Sequence, residues 1–262
     1  MGTAVSLSSM ILTAPRLDRA RGLLAGLFLS RDRPAPGECA LARVLLGALD
    51  TPEIDLARIV AGWVALNPGP GLTPAVASGL DWLREHGSPP LPHHEPAGLG
   101  AALVVLPLVL RTRFSQANLV SAAYHTAGLV TGSQPGAWAA VAATVTAACF
   151  LQDRRDFLGD VLEALKANDA PAALVDGVRQ IPFRLPGREG SWDGSGDETL
   201  ELLWASHHLP TAARVAQHLG PLGHVAMTVG IALAGAREGI GPDQSLDADL
   251  ERMLAVLTQE RV

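Results

Sequence analysis

Apolar residues recur at helical spacing along almost the whole chain of 262 residues, and this feature constrains its fold most. Alternating runs of Val, Ile and Tyr, which are typical of strands, are missing. Because apolar residues three or four positions apart share one face of a helix, the pattern predicts an all-α fold, a compact orthogonal bundle of many helices. Proline just inside two predicted helix starts, at Pro52 and Pro74, agrees with this interpretation.

Thirteen segments have this spacing and are predicted to be helices. They are Pro15–Ser30, Gly37–Leu49, Pro52–Leu66, Thr73–His86, Leu99–Arg111, Gln116–Thr131, Gln134–Leu151, Arg155–Lys166, Ala170–Ile181, Asp197–His208, Pro210–Leu219, Gly223–Gly239 and Asp247–Gln259. The length favours a single domain over residues 1–262, with residues 1–14 expected to form a flexible N-terminal segment.

Composition narrows the partners that we expect. The chain has 20 basic and 26 acidic side chains, which argues against nucleic acid because phosphate neutralisation needs a basic face. Its apolar runs are shorter than the roughly 18 residues of a membrane span, so no membrane is expected. The two cysteines form neither a disulfide framework nor a zinc spacing, which favours a reducing, cytoplasmic location. The oligomeric state stays open.

Three loops are rich in Gly, Pro and Ser, and such long loops in a compact helical domain often carry function. They span Asn67–Leu72, Gly87–Gly100 and Pro182–Gly196. The second contains His93 and His94, and the third contains Trp192 and Asp193.

Several motifs in order from Arg19 to Gly239 resemble those of the ADP-ribosylglycohydrolase family, which includes dinitrogenase reductase-activating glycohydrolase. The clearest stretch, from Val215 to Gly239, is similar to the family's "VNLGGDTDT" turn and the helix "AAIAGALAGARYG" that follows it. Further similar segments are Arg19–Leu27 to "RARGALLGLAVGD", Gly98–Pro107 to "GNGAAMRAAPL", Thr131–Pro135 to "THPHP", and Glu198–Trp204 to "DTLEAALWA".

The resemblance implies two magnesium ions, held by acidic residues, that orient the ADP-ribose diols and a water. The matching positions here lack most of those ligands. Pro36-Gly37-Glu38-Cys39 replaces the family's Thr-Asp-Asp-Thr, and Leu222-Gly223-His224-Val225 replaces its Asp-Thr-Asp-Thr. Leu29-Ser30, Leu99 and Gly132 stand where the family has Gly-Asp, Asn and His. We therefore expect a degenerate member that keeps the fold, lacks the dinuclear metal site and needs no cofactor.

The candidate catalytic residues are Glu38, His224 and Cys39. If the family's fold holds, Glu38 and His224 face each other across the old metal cleft as an acid and a base. The alternative for this pair is a surface carboxylate and a hydrogen-bonded turn histidine. A Cys39 thiolate near a histidine is a candidate nucleophile. The alternative is an inert thiol buried in a helix.

The candidate ligand-binding residues border the same cleft, according to the resemblance. Trp192 is a candidate for stacking on a base, with a simple hydrophobic plug as the alternative. His93 and His94 are also candidate ligands for a softer metal such as zinc, although their spacing fits no known zinc motif. The full set is His93, His94, Gly98, Gly100, Ser133, Gln134, Trp192 and Asp193.

Three functions remain open. The first is a non-hydrolysing binder of ADP-ribose, a nucleotide, a related small molecule or another protein. The second is a metal-independent enzyme acting on a small metabolite through Glu38 and His224. The third is a structural role, because the family includes lens crystallins. A polar, crowded cleft favours the enzyme, whereas a cleft filled by Leu99, Leu222 and Val225 favours a binder or a scaffold.

Overall fold

The structure is a computed structural model that describes residues 14–29, 35–50, 54–66, 71–111, 115–185, 197–241 and 244–258. Within these ranges it contains thirteen α-helices and no strand, apart from a one-residue bridge between His93 and Ser133. The helices are α1 (Ala14–Phe28), α2 (Gly37–Ala48), α3 (Leu56–Ala65), α4 (Pro74–His86), α5 (Gly100–Val105), α6 (Gln116–Thr131), α7 (Gln134–Leu151), α8 (Leu158–Ala167), α9 (Ala172–Gln180), α10 (Glu198–His208), α11 (Ala212–Leu219), α12 (His224–Glu238) and α13 (Ala248–Thr258). The prediction of an all-α fold is confirmed.

Three α-helices are followed directly by a 3-10 turn that contains proline. The segment predicted as one helix from Leu99 to Arg111 is α5 followed by a 3-10 turn over Leu106–Leu110. Shorter 3-10 turns over Ile181–Phe183 and Gly220–Leu222 follow α9 and α11. Each of the three turns has proline at its second position, where the missing N–H cannot continue the α-helical ladder.

Two helices begin later than the spacing predicts, for local reasons. Helix α3 begins at Leu56 because Asp55 is its N-cap, and the Asp55 carboxylate accepts a hydrogen bond from the Arg58 N–H at 3.0 Å. Helix α8 begins at Leu158 because the chain first turns through Asp153, which has φ 62°. After this turn the Arg154 N–H donates to the Cys149 carbonyl at 2.8 Å.

Helix α7 is the centre of the core and packs against α5, α6, α8, α10 and α12. Nearly every side chain on it is buried, and its threonine hydroxyls donate back to carbonyls one turn earlier, as Thr144 does to Ala140 at 2.7 Å. Among the described residues, α7 is the one helix long and apolar enough to cross a membrane. Because 83% of it is buried inside the protein, it has the surroundings of a core helix.

Helices α1 and α12 make the most extensive helix contact of the described residues, and glycines permit it. A Cβ on Gly22 would lie 2.2 Å from the Gly235 carbonyl oxygen, and a Cβ on Gly26 would lie 2.5 Å from the Ala232 Cα. The two backbones therefore touch directly, with the end of α1 beside the start of α12. This contact fixes the position of the α12 N-terminus, which carries His224.

Candidate functional site

A cavity of about 510 Å³ lies where the N-termini of α4, α10 and α12 meet the loop before α5. Residues from five separate segments line it, which agrees with the way helical bundles build ligand sites at converging helix ends. The lining residues are Ala35, Pro36, Gly71, Leu72, Thr73, Pro74, Ala75, Pro96, Ala97, Gly98, Glu198, Leu222, Gly223, His224, Val225 and Ala226.

The lining is mostly apolar. Among the described residues that face the cavity, only Glu198 and His224 are ionisable, and Leu72, Leu222 and Val225 supply the larger apolar side chains. From the sequence, a cleft filled by Leu99, Leu222 and Val225 was the criterion for a binder or a scaffold. Leu99 is fully buried in the core and does not line the cavity. Two of the three residues in that criterion, Leu222 and Val225, therefore line the cavity.

Glu38 lies behind the cavity wall and does not face the cavity. Its side chain is fully buried in the first turn of α2, and Oε1 accepts a hydrogen bond from the Thr73 N–H at 2.6 Å. Its other oxygen, Oε2, has no hydrogen-bond partner among the described residues, and neither has the nearby Thr73 hydroxyl. The structure therefore gives Glu38 a backbone contact beneath the cleft, whereas His224 is exposed and lines it.

Cys39 is a buried thiol. Its Sγ donates to the Leu27 carbonyl at 3.1 Å. The pKa of Cys39 is raised to about 12, mainly by burial and to a smaller extent by the nearby Glu38 carboxylate. Because a thiolate is the nucleophilic form, this environment does not activate the sulfur for nucleophilic attack.

Glu198 is a site residue that the sequence reasoning missed. It is the first residue of α10, and its Oε2 accepts a hydrogen bond from the Leu99 N–H at 3.1 Å. Burial raises the pKa of Glu198 above its usual value, against the lowering effect of the Leu99 hydrogen bond. The available signal was the position of this carboxylate inside the segment similar to "DTLEAALWA", directly after the N-cap residue Asp197.

His93, Ser133 and Gln134 tie the loop before α5 to the turn between α6 and α7. The Ser133 hydroxyl donates to the Glu95 carbonyl at 2.7 Å and accepts from the Gly136 N–H at 3.1 Å. The Gln134 N–H donates to the His93 carbonyl at 2.9 Å, and His93 Nε2 lies 3.0 Å from the Thr131 carbonyl. The side chains of His93 and Ser133 and the backbone of Gln134 therefore hold the loop, and none of these three residues lines the cavity.

The other predicted ligand-binding residues fall in different places. Gly98 lines the cavity, and Gly100 lies behind it against Thr73, where a Cβ would come within 2.4 Å of the Thr73 hydroxyl. His94 is exposed on the loop and does not line the cavity. Trp192 and Asp193 lie outside the described residues.

A second cavity of about 430 Å³ adjoins the first. The two share the loop Pro96–Gly98 and Glu198 as a common wall. Trp138 and Leu174 also line the second cavity. The Glu198 side chain therefore stands between two neighbouring spaces.

The residues that the structure describes do not fit the two magnesium ions that the resemblance implies. Such hard cations need several carboxylate or hydroxyl oxygens. In the part of the chain that the structure describes, no group of three or more His, Cys, Asp or Glu side chains could hold a metal ion. At the matching position, Glu38 is a single carboxylate that lies behind the cavity wall, so the described residues offer no set of oxygens for two hard cations.

Comparisons with known proteins agree with this architecture. Residues 37–258 match the family model described as ADP-ribosylglycohydrolase. A chain of a solved "ADP-ribosylglycohydrolase-related protein complex" is 20% identical and has a TM-score of 0.68, and the match covers 94% of this chain and 98% of that one. No curated protein matches the chain. At this identity, the structural likeness establishes the fold alone.

Proposed function

This chain belongs to the ADP-ribosylglycohydrolase family, and we propose that it is a non-hydrolysing binder whose cavity takes ADP-ribose, a nucleotide or a related small molecule. The observation that carries the proposal is the cavity of about 510 Å³ at the converging helix ends. Its volume falls in the range of roughly 300–1,000 Å³ that small-molecule sites occupy, and its mostly apolar lining with a few polar groups has the usual character of such sites.

An anionic group on the ligand would find favourable surroundings at one side of this cavity. The first residues of α12, His224 to Ala226, line it, and no side chain caps this helix N-terminus. Backbone N–H groups and the positive end of the helix dipole attract phosphate there. The cavity lining therefore supports a ligand that carries phosphate beside an apolar part, as nucleotides do.

We propose that hydrolysis is absent because the described residues lack the acidic side chains that would bind metal ions. Hydrolysis as the family performs it needs cations that position the diol and activate water. The described residues offer no group of acidic side chains for that task.

The alternative is a metal-independent enzyme that uses Glu38 and His224 as acid and base. It receives less support, because only His224 of the pair lines the cavity, whereas Glu38 is buried behind the wall.

Isothermal titration calorimetry in EDTA tests the binding proposal, with ADP-ribose, ADP and ribose 5-phosphate as separate probes. We expect saturable one-to-one binding of at least one phosphate-bearing probe. Val225→Glu should abolish it, because the new carboxylate enters the cavity and repels phosphate. Val256→Glu is the matched control, since Val256 is 41% exposed on α13 and lies outside this cavity. The proposal is wrong if no probe binds, or if Val225→Glu binds as well as the control.

A second assay addresses hydrolysis. The protein is incubated with arginine- or serine-ADP-ribosylated peptides, with and without magnesium, and released ADP-ribose is measured by mass spectrometry. We expect no release above the background of the peptide alone. Release that disappears in His224→Ala but persists in EDTA would favour the metal-independent enzyme instead.

A further inference from the structure

Two carboxylates, the fully buried Glu38 and the half-buried Glu198, hold the two loops that form the cavity wall. Glu38, in the first turn of α2, accepts the Thr73 N–H at 2.6 Å. Glu198, in the first turn of α10, accepts the Leu99 N–H at 3.1 Å. Thr73 is the N-cap of α4 and Leu99 the N-cap of α5, so each carboxylate fixes the point at which a wall loop enters a helix.

Two glycines allow the carboxylates to come this close. A Cβ on Gly98 would lie 2.8 Å from Glu198 Oε2, and a Cβ on Gly100 would lie 3.3 Å from Glu38 Oε1. Gly98 also has φ +60°, a conformation that glycine adopts without strain. Leu99, between them, is fully buried and anchors the turn in the core. The short segment Gly98–Gly100 is thus held from both sides.

We propose that Glu38 and Glu198 are positioning residues that fix the walls of the ligand cavity without a divalent cation. This inference rests on the proposed function in one respect, namely that the cavity they hold is the ligand site. In this interpretation, Glu38 binds a backbone N–H where the family resemblance implies a metal ligand.

A positioning role and a purely stabilising role predict different results for Glu198. Burial raises the pKa of Glu198, so its charge is unfavourable for the folded state as a whole. The Glu198 carboxylate nevertheless accepts a hydrogen bond from the Leu99 N–H, and this bond fixes the Leu99 backbone locally. Removal of the charge should therefore loosen the loop without lowering the overall stability.

Amide hydrogen exchange of the ligand-free protein in EDTA tests the proposal. The variants are Glu38→Gln, Glu198→Gln and the control Glu163→Gln, an exposed glutamate on α8. A neutral acceptor makes a weaker hydrogen bond than a carboxylate, so protection should fall roughly fivefold to tenfold at Thr73 in the first variant and at Leu99 in the second. The melting temperature of Glu198→Gln should not fall, and the control should match the wild type in both measurements.

Two results would overturn the inference. One is unchanged protection at Thr73 and Leu99 in both variants. The other is a rise in protection at these two amides when magnesium is added to the wild type, because a cation would then hold the loops. Glu38 is fully buried, so its substitution also perturbs the core, and the Glu198→Gln measurement stands as an independent test.

The exchange experiment needs no ligand, so it separates this inference from the proposed function. Reduced protection at Leu99 without binding of any probe would support the positioning role and contradict the proposed function. If a probe binds, its affinity in EDTA should fall severalfold in Glu198→Gln and stay unchanged in Glu163→Gln. Equal affinities in these two variants would contradict the link between the loops and the ligand site.

Discussion

The contact between α1 and α12 gives the sharpest stability prediction, because two backbones touch there. In Gly22→Ala, the new Cβ would lie 2.2 Å from the Gly235 carbonyl oxygen and 2.5 Å from the Gly239 carbonyl carbon. Overpacking typically costs about 1–3 kcal/mol. Because these neighbours are backbone atoms, we expect about 3 kcal/mol. Alanine regains about 1 kcal/mol through helix propensity, which leaves a net loss of about 2 kcal/mol.

Gly128→Ala is the matched control, since Gly128 lies inside α6 and a Cβ there would have no atom within 4 Å. This variant should gain about 1 kcal/mol of unfolding free energy from helix propensity alone. For a chain of this size, a change of 1 kcal/mol shifts the melting temperature by roughly 2–4 °C. Calorimetry should therefore show a drop of roughly 4–8 °C for Gly22→Ala and a rise of roughly 2–4 °C for the control. Equal melting temperatures of the two variants would refute the close contact of α1 and α12.

Three further predictions concern the site and its surroundings. Millimolar magnesium should raise the melting temperature no more than sodium chloride of equal ionic strength, because no described acidic cluster can hold the ion; a saturable, magnesium-specific rise would contradict this. Cys39 and Cys149 both have pKa values raised to about 12, chiefly by burial, so a thiol reagent at about pH 8 should label them only after unfolding; rapid labelling of the native protein would show an accessible thiolate. The pKa of Glu198 is raised in the folded state, so the stability that this group contributes is present below its unfolded pKa and is lost as the pH rises through the folded value. Chemical denaturation from about pH 4 to pH 7 should therefore show the wild type losing stability relative to Glu198→Gln, and a constant difference would refute the shift.

The helices were predictable because their signals are local. Apolar spacing placed thirteen helices, and the thirteen helices of the described residues agree with them to within a few residues at most ends. The larger disagreements lie where local chemistry overrides spacing. Pro107 converts the end of one helix into a 3-10 turn, and the turn through Asp153 delays the start of α8.

The site was less predictable, because its character depends on which way a side chain faces after folding. The resemblance placed Gly98 and His224 at the cleft, and both line the cavity. The same reasoning expected Glu38 to face His224, but it could not show that the first turn of α2 directs this carboxylate to the Thr73 backbone. Glu198 was overlooked for the opposite reason, because a glutamate in the first turn of a helix usually needs no explanation beyond the helix dipole.

The backbone contacts of Glu38 and Glu198 bear on how tightly the cavity can bind. A ligand that must order loops as it binds loses affinity to the entropy of that ordering, whereas a site fixed by folding avoids this loss. Here the Thr73 and Leu99 N–H groups donate to carboxylates that belong to the protein itself. The arrangement instead lowers the stability of the folded protein, because burial disfavours the charged form of the half-buried Glu198, as its raised pKa indicates. A cavity built in this way would bind its ligand with an affinity that depends on Glu198 and is independent of magnesium concentration, which is the reverse of the dependence expected when metal ions hold the loops.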